Sequence, residues 1–433
     1  MIRARLVLAS SFAALLALVA VSGAQIAPDP QARWWRGNLH THTLWSDGDG
    51  FPEMVAEWYR EHGYHFLALS DHNTLSQGER WMAAKAIDAR AGVDAVARYR
   101  KRFGESWART RGSNGDGSLE VRLKPFDEYR ALVEEPNRFL MIQSEELTGA
   151  SGDGRALHMN ATNLGEQLLY QAGATIRDTM VRNLQVVEES AKRTGREVMV
   201  HVNHPNYKWG VTAEDLAAVT GERFFEVWNG VDGDNDPGDA SHAGVDEIWD
   251  IANTLRIARY GAAPLYGLAT DDSHNHHGNK QHSPPGRAWI MVRSRHLTPE
   301  SIVRAIRAGD FYATTGVALE DAAFDKQSRT LRLRIEARAG ETYVTRFIGT
   351  RRGASLKGKL RGAETALETT LDYRNAAGPA IGEVLAEVAG TAPSYTMKGD
   401  ELYLRAVVAS SGRPEVPSAE FPYKRAWTQP VGW

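Results

Sequence analysis

The sequence contains no cysteine. Disulfide bonds and thiolate metal sites are therefore excluded, and any bound metal must use nitrogen and oxygen ligands. An excess of basic residues is also missing, since 51 lysines and arginines face 54 aspartates and glutamates, for a net charge of −3. Nucleic-acid binding draws on many cations to neutralise phosphates, so the composition favours a small-molecule substrate and no nucleic-acid partner.

Two common catalytic signatures are absent as well. The sequence has no Gly-x-Ser-x-Gly nucleophile elbow and no glycine-rich phosphate loop. These absences disfavour a covalent serine route and the cradling of a nucleotide. The chain has 433 residues, of which 42% are hydrophobic and 24% charged. It is therefore long enough for one large globular domain and a smaller one.

The amino terminus is typical of an export signal. Arg3 and Arg5 precede an apolar run over residues 6–21, and Ser22-Gly23-Ala24 supplies the small residues that a signal peptidase recognises. We expect residues 1–24 to be a cleaved signal peptide, which leaves no stable membrane anchor. An uncleaved anchor is the alternative, but the run is barely long enough to span a bilayer. The expected location is periplasmic or secreted.

Nine side chains of metal-ligand type lie in short motifs between residues 40 and 274. They are His40, His42, Asp47, His72, Glu146, His158, His204, Asp272 and His274. Most of these motifs directly follow a short apolar or β-branched run, which predicts that they gather at the carboxyl ends of successive strands of an α/β barrel. A mixed set of imidazoles and carboxylates suits two to three divalent ions such as Zn, Mn or Fe.

The order of the motifs resembles the PHP family, named for polymerase and histidinol phosphatase, and within it the secreted branch with carbaryl-hydrolase-like metalloenzymes. The resemblance covers about residues 35–317 and implies a distorted (β/α)7-type barrel with a trinuclear metal centre. It implies that His40, His42, Glu146 and Asp272 hold the first metal, that Glu146, His158 and His204 hold the second, and that Asp47, His72 and His274 hold the third. Glu146 would then bridge two ions.

The sequence departs from the family pattern in two places. Ser144 stands where the family usually has glycine, and about fifty extra residues separate the second and third motifs. Three assignments consequently stay open. They are Glu145 versus Glu146, His201 versus His204, and Asp271 versus Asp272.

Strand and helix patterns alternate between residues 36 and 317, which predicts a parallel α/β domain over residues 25–317. Within it we expect an insertion over residues 76–135 that is largely helical, with one long helix over residues 77–103. From residue 318 to 433 the hydrophobic period changes to two, as in Leu331, Leu333 and Ile335. That period predicts a small antiparallel β domain, most simply a sandwich with a structural role.

The predicted chemistry is metal-assisted hydrolysis of a small phosphate ester by a hydroxide bridging two metals, with Glu146 and Asp272 as central catalytic groups. Asp71 is expected to orient a ligand histidine, and Glu226 to support the site or pack in the barrel. The cations Lys208, Lys280 and Arg287 lie near the motifs and are predicted to bind substrate oxygens. One alternative is hydrolysis of a carbamate, carboxylic ester or amide at the same metals. A second is a non-catalytic binding protein.

Overall fold

Short apolar segments separated by amphipathic ones produce a mixed α/β fold. The computed structural model describes residues 29–277, 282–360, 371–373 and 378–433. In chain order the strands of the amino-terminal part are β1 (Arg33–Asn38), β2 (Phe66–Leu69), β3 (Arg80–Ala83), β4 (Thr110–Arg111), β5 (Glu120–Leu123), β6 (Leu140–Ala150), β7 (Ala156–Thr162), β8 (Met199–Val202), β9 (Phe224–Asn229), β10 (Tyr266–Thr270), β11 (Trp289–Ser294) and β12 (Phe311–Thr314).

The later strands are β13 (Leu319–Asp325), β14 (Thr330–Ile335), β15 (Tyr343–Arg351), β16 (Lys359–Leu360), β17 (Leu371–Asp372), β18 (Glu383–Ala389), β19 (Ser394–Thr396), β20 (Glu401–Ser410) and β21 (Arg425–Thr428). The helices are α1 (Pro52–Glu61), α2 (Ala84–Ala91), α3 (Ala95–Phe103), α4 (Phe126–Val133), α5 (Ile176–Thr194), α6 (Ala213–Ala218), α7 (Val245–Ala258) and α8 (Pro299–Arg307), with a 3-10 turn at Tyr207–Trp209.

One sheet of thirteen strands organises the chain, in the order β10-β9-β8-β7-β6-β2-β1-β11-β12-β21-β20-β15-β18. Strands β1, β2 and β6 are parallel neighbours, and so are β8, β9 and β10. Strand β7 lies antiparallel between the two groups. Among the described residues β10 pairs only with β9, so the predicted barrel is not closed by a ladder.

The helix ends follow from local chemistry. Helix α5 begins after Thr175, whose side chain accepts a hydrogen bond from the backbone N–H of Asp178, and it ends at Gly195, which adopts a left-handed conformation with φ of 68°. Helix α8 begins after Thr298 in the same way, with proline in its first turn.

The insertion differs from its prediction. A single helix over residues 77–103 is wrong, because this stretch forms strand β3 and the two helices α2 and α3. Gly92, with φ of 93°, ends the first helix, and β3 pairs with β5 in a small three-stranded sheet. The insertion packs on the segment that carries Asp47, since the ring of Tyr99 stacks on Phe51 at 3.8 Å.

The carboxyl-terminal region extends the same sheet. Strands β12, β21, β20, β15 and β18 continue it, while β13, β14 and β19 form a separate antiparallel sheet that shares a core with it. Residues 32–433 form one compact unit across the predicted boundary at residue 317. The predicted signal peptide lies outside the described residues. Within the described part of the chain, no helix is both long and apolar enough to cross a membrane.

Candidate metal centre

The carboxyl ends of several strands bring the predicted ligands together. His40 and His42 follow β1, His72 follows β2, His204 follows β8, and Asp272 with His274 follows β10. Strands β2, β8 and β10 are buried throughout and β1 is buried at its carboxyl end, so the sheet fixes the backbone directly before each of these ligands. The structure therefore brings these motifs together at one edge of the sheet, as predicted.

Glu146 is at the centre of the cluster and is fully buried. It does not follow a strand end as the sequence pattern indicated, because β6 continues to Ala150 in a hairpin with β7. The hairpin also carries His158. Five ring nitrogens lie within 4 Å of the Glu146 carboxylate, on His72 (2.6 Å), His158 (3.0 Å), His42 (3.4 Å), His40 (3.5 Å) and His204 (3.7 Å).

Asp272 is the second carboxylate at the centre. Its Oδ1 lies 2.9 Å from Nε2 of His42 and 3.1 Å from Nε2 of His40. Its Oδ2 lies 3.8 Å from Nε2 of His204. Asp272 and His204 have φ values of 46° and 22°, in the left-handed region that non-glycine residues seldom adopt. Strained backbone of this kind concentrates at functional sites, where surrounding structure holds it.

Asp47 lies at the mouth of the cluster, and its side chain is 53% exposed. Its carboxylate lies 3.4 Å from Nε2 of His274, 3.5 Å from Nε2 of His72 and 3.7 Å from Nδ1 of His42. This group is the part of the cluster nearest to solvent. It contains the three residues that the family resemblance assigns to a third metal.

The charges in the cluster depend strongly on one another. Burial raises the pKa of Glu146, but the surrounding histidines, first His72 and then His40, hold it well below its usual range. Burial lowers the pKa of His72, yet Glu146 and Asp47 raise it to about 11. The pKa of His42 falls to about 4, because burial is reinforced by His274 and His72. Without metal the site therefore mixes protonated and neutral imidazoles around ionised carboxylates.

The donor set fits divalent cations. Groups of three or four ligand atoms converge closely enough to hold an ion, among them His40, His42 and Asp272, then His40, Glu146 and His204, then His72, Glu146 and His158, and finally His42, Asp47, His72 and His274. Several of the buried atoms that face one another form no hydrogen bond with the described residues, including Nε2 of His42, Oε2 of Glu146 and Oδ1 of Asp272. Buried polar atoms without hydrogen bonds suit metal coordination.

The three open assignments have different surroundings. Glu145 lies away from the cluster and accepts a hydrogen bond from the backbone N–H of Leu168 at 3.0 Å. Asp271 accepts the backbone N–H groups of Gly286, Arg287 and Ala288 and the hydroxyl of Tyr59. His201 contacts Glu226 at 3.5 Å instead of Glu146 or Asp272. The geometry thus favours Glu146, Asp272 and His204 as the ligands.

Two supporting expectations need correction. The carboxylate of Asp71 contacts no ligand histidine directly within the described residues. It accepts the backbone N–H and hydroxyl of Thr43 and the hydroxyl of Ser46, whose Oγ lies 3.4 Å from Nδ1 of His42. It fixes the loop that leads to Asp47. The guanidinium of Arg287 is buried and donates to the carbonyls of Gly230 and His282 and to Asp232. The Arg287 side chain therefore holds these loops together and is not placed to bind substrate.

The other two predicted cations have different outcomes. Lys208 is exposed beside the cluster, and its Nζ lies 4.9 Å from the ring centre of Tyr207. That ring in turn lies 5.4 Å from His158 and 5.1 Å from His204. Lys280 lies outside the described residues. Lys208 is consequently the predicted cation whose placement still suits contact with a substrate.

Sequence reasoning missed two polar residues, one in the cluster and one in a neighbouring loop. Asn203 donates from Nδ2 to Oε1 of Glu146 at 2.8 Å and to Oδ1 of Asn160 at 2.9 Å. Asp234 is buried in the acidic loop after β9, and burial raises its pKa to about 7 despite the opposing effect of His204. The only sequence signal for Asn203 was its place directly before His204 in Asn-His-Pro-Asn.

Comparisons with known proteins give distant structural likenesses. No family model and no curated protein matches the sequence. A two-domain protein from Bacteroides vulgatus ATCC 8482 that contains a predicted PHP-like metal-dependent phosphoesterase is similar with a TM-score of 0.40 and 14% identity, covering 93% of this chain and 97% of that one. PsfC from Pseudomonas syringae PB-5123 is similar with a TM-score of 0.34 and 11% identity, covering 63% and 88%.

A proposed metal-dependent phosphoesterase from Bifidobacterium adolescentis ATCC 15703 is similar with a TM-score of 0.28 and 15% identity, covering 63% of this chain and 95% of that one. Because all three TM-scores are low, these likenesses carry no functional inference. The chemistry of the site has to be judged from its own residues.

Proposed function

We propose that this chain is a metal-dependent hydrolase of the PHP type that acts on a small phosphate ester. The observation that carries the proposal is the convergence of five histidine rings on the buried carboxylate of Glu146, with Asp272 beside it. Without metal the two buried carboxylates depend on protonated histidines for opposite charge, and divalent cations would supply that charge while binding the same donors. The motif order that resembles the PHP family supports the same assignment.

Each carboxylate has a distinct task in this proposal. Glu146 would contribute to more than one ion, since its two oxygens face different histidines, Oε2 toward His42 and Oε1 toward His158. Asp272 would hold an ion together with His40 and His42. Asp47, His72 and His274 would hold a further ion at the mouth, next to solvent and substrate. Divalent ions bound there would acidify a water and stabilise charge on the oxygens of an in-line displacement.

The preference for a phosphate rests on charge. Two or three divalent ions create a strongly positive site that favours a dianion over a neutral carbonyl compound. The exposed cation Lys208 beside Tyr207 adds to that field. Hydrolysis of a carbamate, carboxylic ester or amide is the second candidate. It gains support from Arg287, whose engagement by Gly230 and Asp232 removes one of the predicted phosphate contacts.

Catalytic efficiencies on four aryl substrates test this proposal. Protein loaded with Zn, Mn or Fe is compared on an aryl phosphate, an aryl phosphodiester, an aryl acetate and an aryl carbamate. We expect one of the two phosphates to be preferred. A preference for acetate or carbamate by more than about tenfold, or about 1.4 kcal/mol in transition-state stabilisation, would transfer the assignment to the second candidate.

The same assay separates catalysis from simple binding. A non-catalytic binding protein would hydrolyse none of the four substrates even when it is loaded with metal.

We also propose export to the periplasm or beyond, on the basis of the apolar run over residues 6–21 and the small residues after it. Mass spectrometry of the mature protein, with Gln25 expected as the first residue, tests that part.

A further inference from the structure

Glu226 connects ligands that come from three different strands. Glu226 lies within β9, and its residue surface is only 1% exposed to solvent. Its Oε1 accepts from Nδ1 of His40 at 2.7 Å and from the hydroxyl of Thr270 at 2.6 Å. Its Oε2 accepts from the backbone N–H of His204 at 2.8 Å. Because an ionised carboxylate only accepts hydrogen bonds, the proton of His40 is held on Nδ1 and Nε2 is turned toward the cluster.

Asn229 carries the network onward to a third ligand. Its Nδ2 donates to Oε2 of Glu226 at 2.8 Å and to Oδ2 of Asp272 at 3.1 Å, so both of its amide hydrogens are used. Its Oδ1 accepts the backbone N–H of Val231 at 2.8 Å, which fixes the direction of the amide. One carboxylate therefore orients His40 directly, His204 through its backbone, and Asp272 through Asn229.

We propose that Glu226 is the positioning residue for the inner metals, those of His40, Asp272 and His204, and not for the outer metal of Asp47, His72 and His274. The inference rests on the proposed metal centre and adds to it a division of labour between inner and outer ions. The strained backbone of His204, with φ of 22°, is held by its N–H bond to Glu226. Glu226 makes none of the contacts that orient the outer histidines in the described residues. Nδ1 of His72 lies 2.6 Å from Glu146 and 2.7 Å from Thr148, and Nδ1 of His274 lies 2.8 Å from the backbone carbonyl of Asp272.

The substitution Glu226→Gln tests the network with little change in volume. A carboxylate offers two acceptor oxygens, whereas an amide offers one oxygen and one NH2 group. The NH2 group of the amide must replace one of the two oxygens. In one orientation it faces the donors of His40 and Thr270, and in the other it faces the donors of His204 and Asn229. Glu145→Gln is the matched control, because Glu145 is equally buried and, among the described residues, its carboxylate accepts a hydrogen bond only from the N–H of Leu168.

The measurement is the affinity and occupancy of each Zn or Mn ion, from chelator competition and from anomalous scattering of metal-loaded crystals. We expect Glu226→Gln to lower the affinity for the inner ions by about 10- to 100-fold and to leave the affinity for the outer ion as in wild type. Glu145→Gln should retain all wild-type affinities. Equal weakening of every ion, or wild-type affinity throughout, would overturn the inference.

A second variant and the wild-type protein separate the remaining outcomes. If Glu226→Gln does not fold, Asn229→Leu removes the donors to Glu226 and Asp272 at similar size and should give the same selective loss. A wild-type protein that binds fewer than two ions would refute the proposed function itself. A wild-type protein that binds and hydrolyses normally, with a Glu226→Gln variant equal to the control, would refute only the role of Glu226.

Discussion

Glu145 and Glu146 are neighbours on β6, yet their carboxylates have opposite surroundings. The Glu146 carboxylate lies among five histidines, while that of Glu145 accepts one backbone N–H and has its pKa raised to about 7 by burial. Successive residues of a strand face opposite sides of the sheet, so a single step in sequence moves a carboxylate from the metal side to the other side.

This pair gives the first prediction. Glu146→Gln should lower metal content by at least one ion per chain and turnover by at least about 100-fold, because a direct ligand costs no less than the groups that orient it. Glu145→Gln should keep both. Elemental analysis and steady-state rates measure the contrast. Equal behaviour of the two variants would show that the ligand has been assigned to the wrong residue.

Asp271 and Asp272 predict a separation of stability from metal binding. Asp271→Asn should keep its metals but unfold more readily by about 1–3 kcal/mol, because the amide cannot accept from all of Gly286, Arg287, Ala288 and Tyr59. Asp272→Asn should lose an inner ion and most activity. Urea unfolding of the metal-free proteins, together with their metal content after reconstitution, distinguishes the two. Metal loss from Asp271→Asn alone would reverse the assignment.

The buried ion pair between α7 and β20 predicts a large effect on stability. Arg405 is 1% exposed and donates to both oxygens of Asp250, at 2.7 and 2.6 Å. Arg405→Met leaves that carboxylate buried without its partner and should lower the free energy of unfolding by about 3–5 kcal/mol. Arg346→Met on β15 breaks the exposed pair with Glu387 and should cost only about 0–1 kcal/mol. Similar losses in the two variants would contradict this account.

The raised histidine pKa values predict how pH affects the metal-free protein. Glu146 and nearby acids outweigh burial and raise the pKa of His204 to about 9, and Glu146 with Asp47 raises that of His72 to about 11, both from 6.5. A group whose pKa is raised by folding stabilises fully below its unfolded pKa and loses that effect as pH rises through the folded pKa. Thermal stability without metal should therefore fall from pH 7 to pH 10.

The metal-loaded protein is the control for this prediction. Its ligand histidines are neutral already, so its melting temperature should change less over the same range. Metal binding at pH 7 should also release protons, which calorimetry in buffers of different ionisation enthalpy detects. A metal-free protein whose melting temperature rises from pH 7 to pH 10, or metal binding without proton release, would contradict the charge states inferred for the cluster.

Much of the site could be predicted because its motifs follow apolar strand segments. The segments before His40, His72, His204 and Asp272 are short and buried, and the sheet brings their ends together. What the sequence could not give was the course of the hairpin β6–β7, since an apolar run predicts a strand without showing where it stops. Glu146 therefore lies inside a strand instead of after one.

The partners of long-range hydrogen bonds could not be predicted from the sequence either. The partners of Asp71 and Arg287 are loop atoms that no periodicity reveals, so the contacts of both residues differ from the predicted ones. The helix predicted over residues 77–103 is broken because Gly92 ends α2 and because β5, about forty residues away, pairs with β3. Local patterns do not register such tertiary pairing.

The most direct test of the central claim is the metal content of the purified wild-type chain. After reconstitution with Zn, Mn or Fe and removal of loosely bound ions, elemental analysis should find two to three ions per chain, and chelation should abolish hydrolysis. Fewer than two ions per chain, or full activity after their removal, would contradict the account.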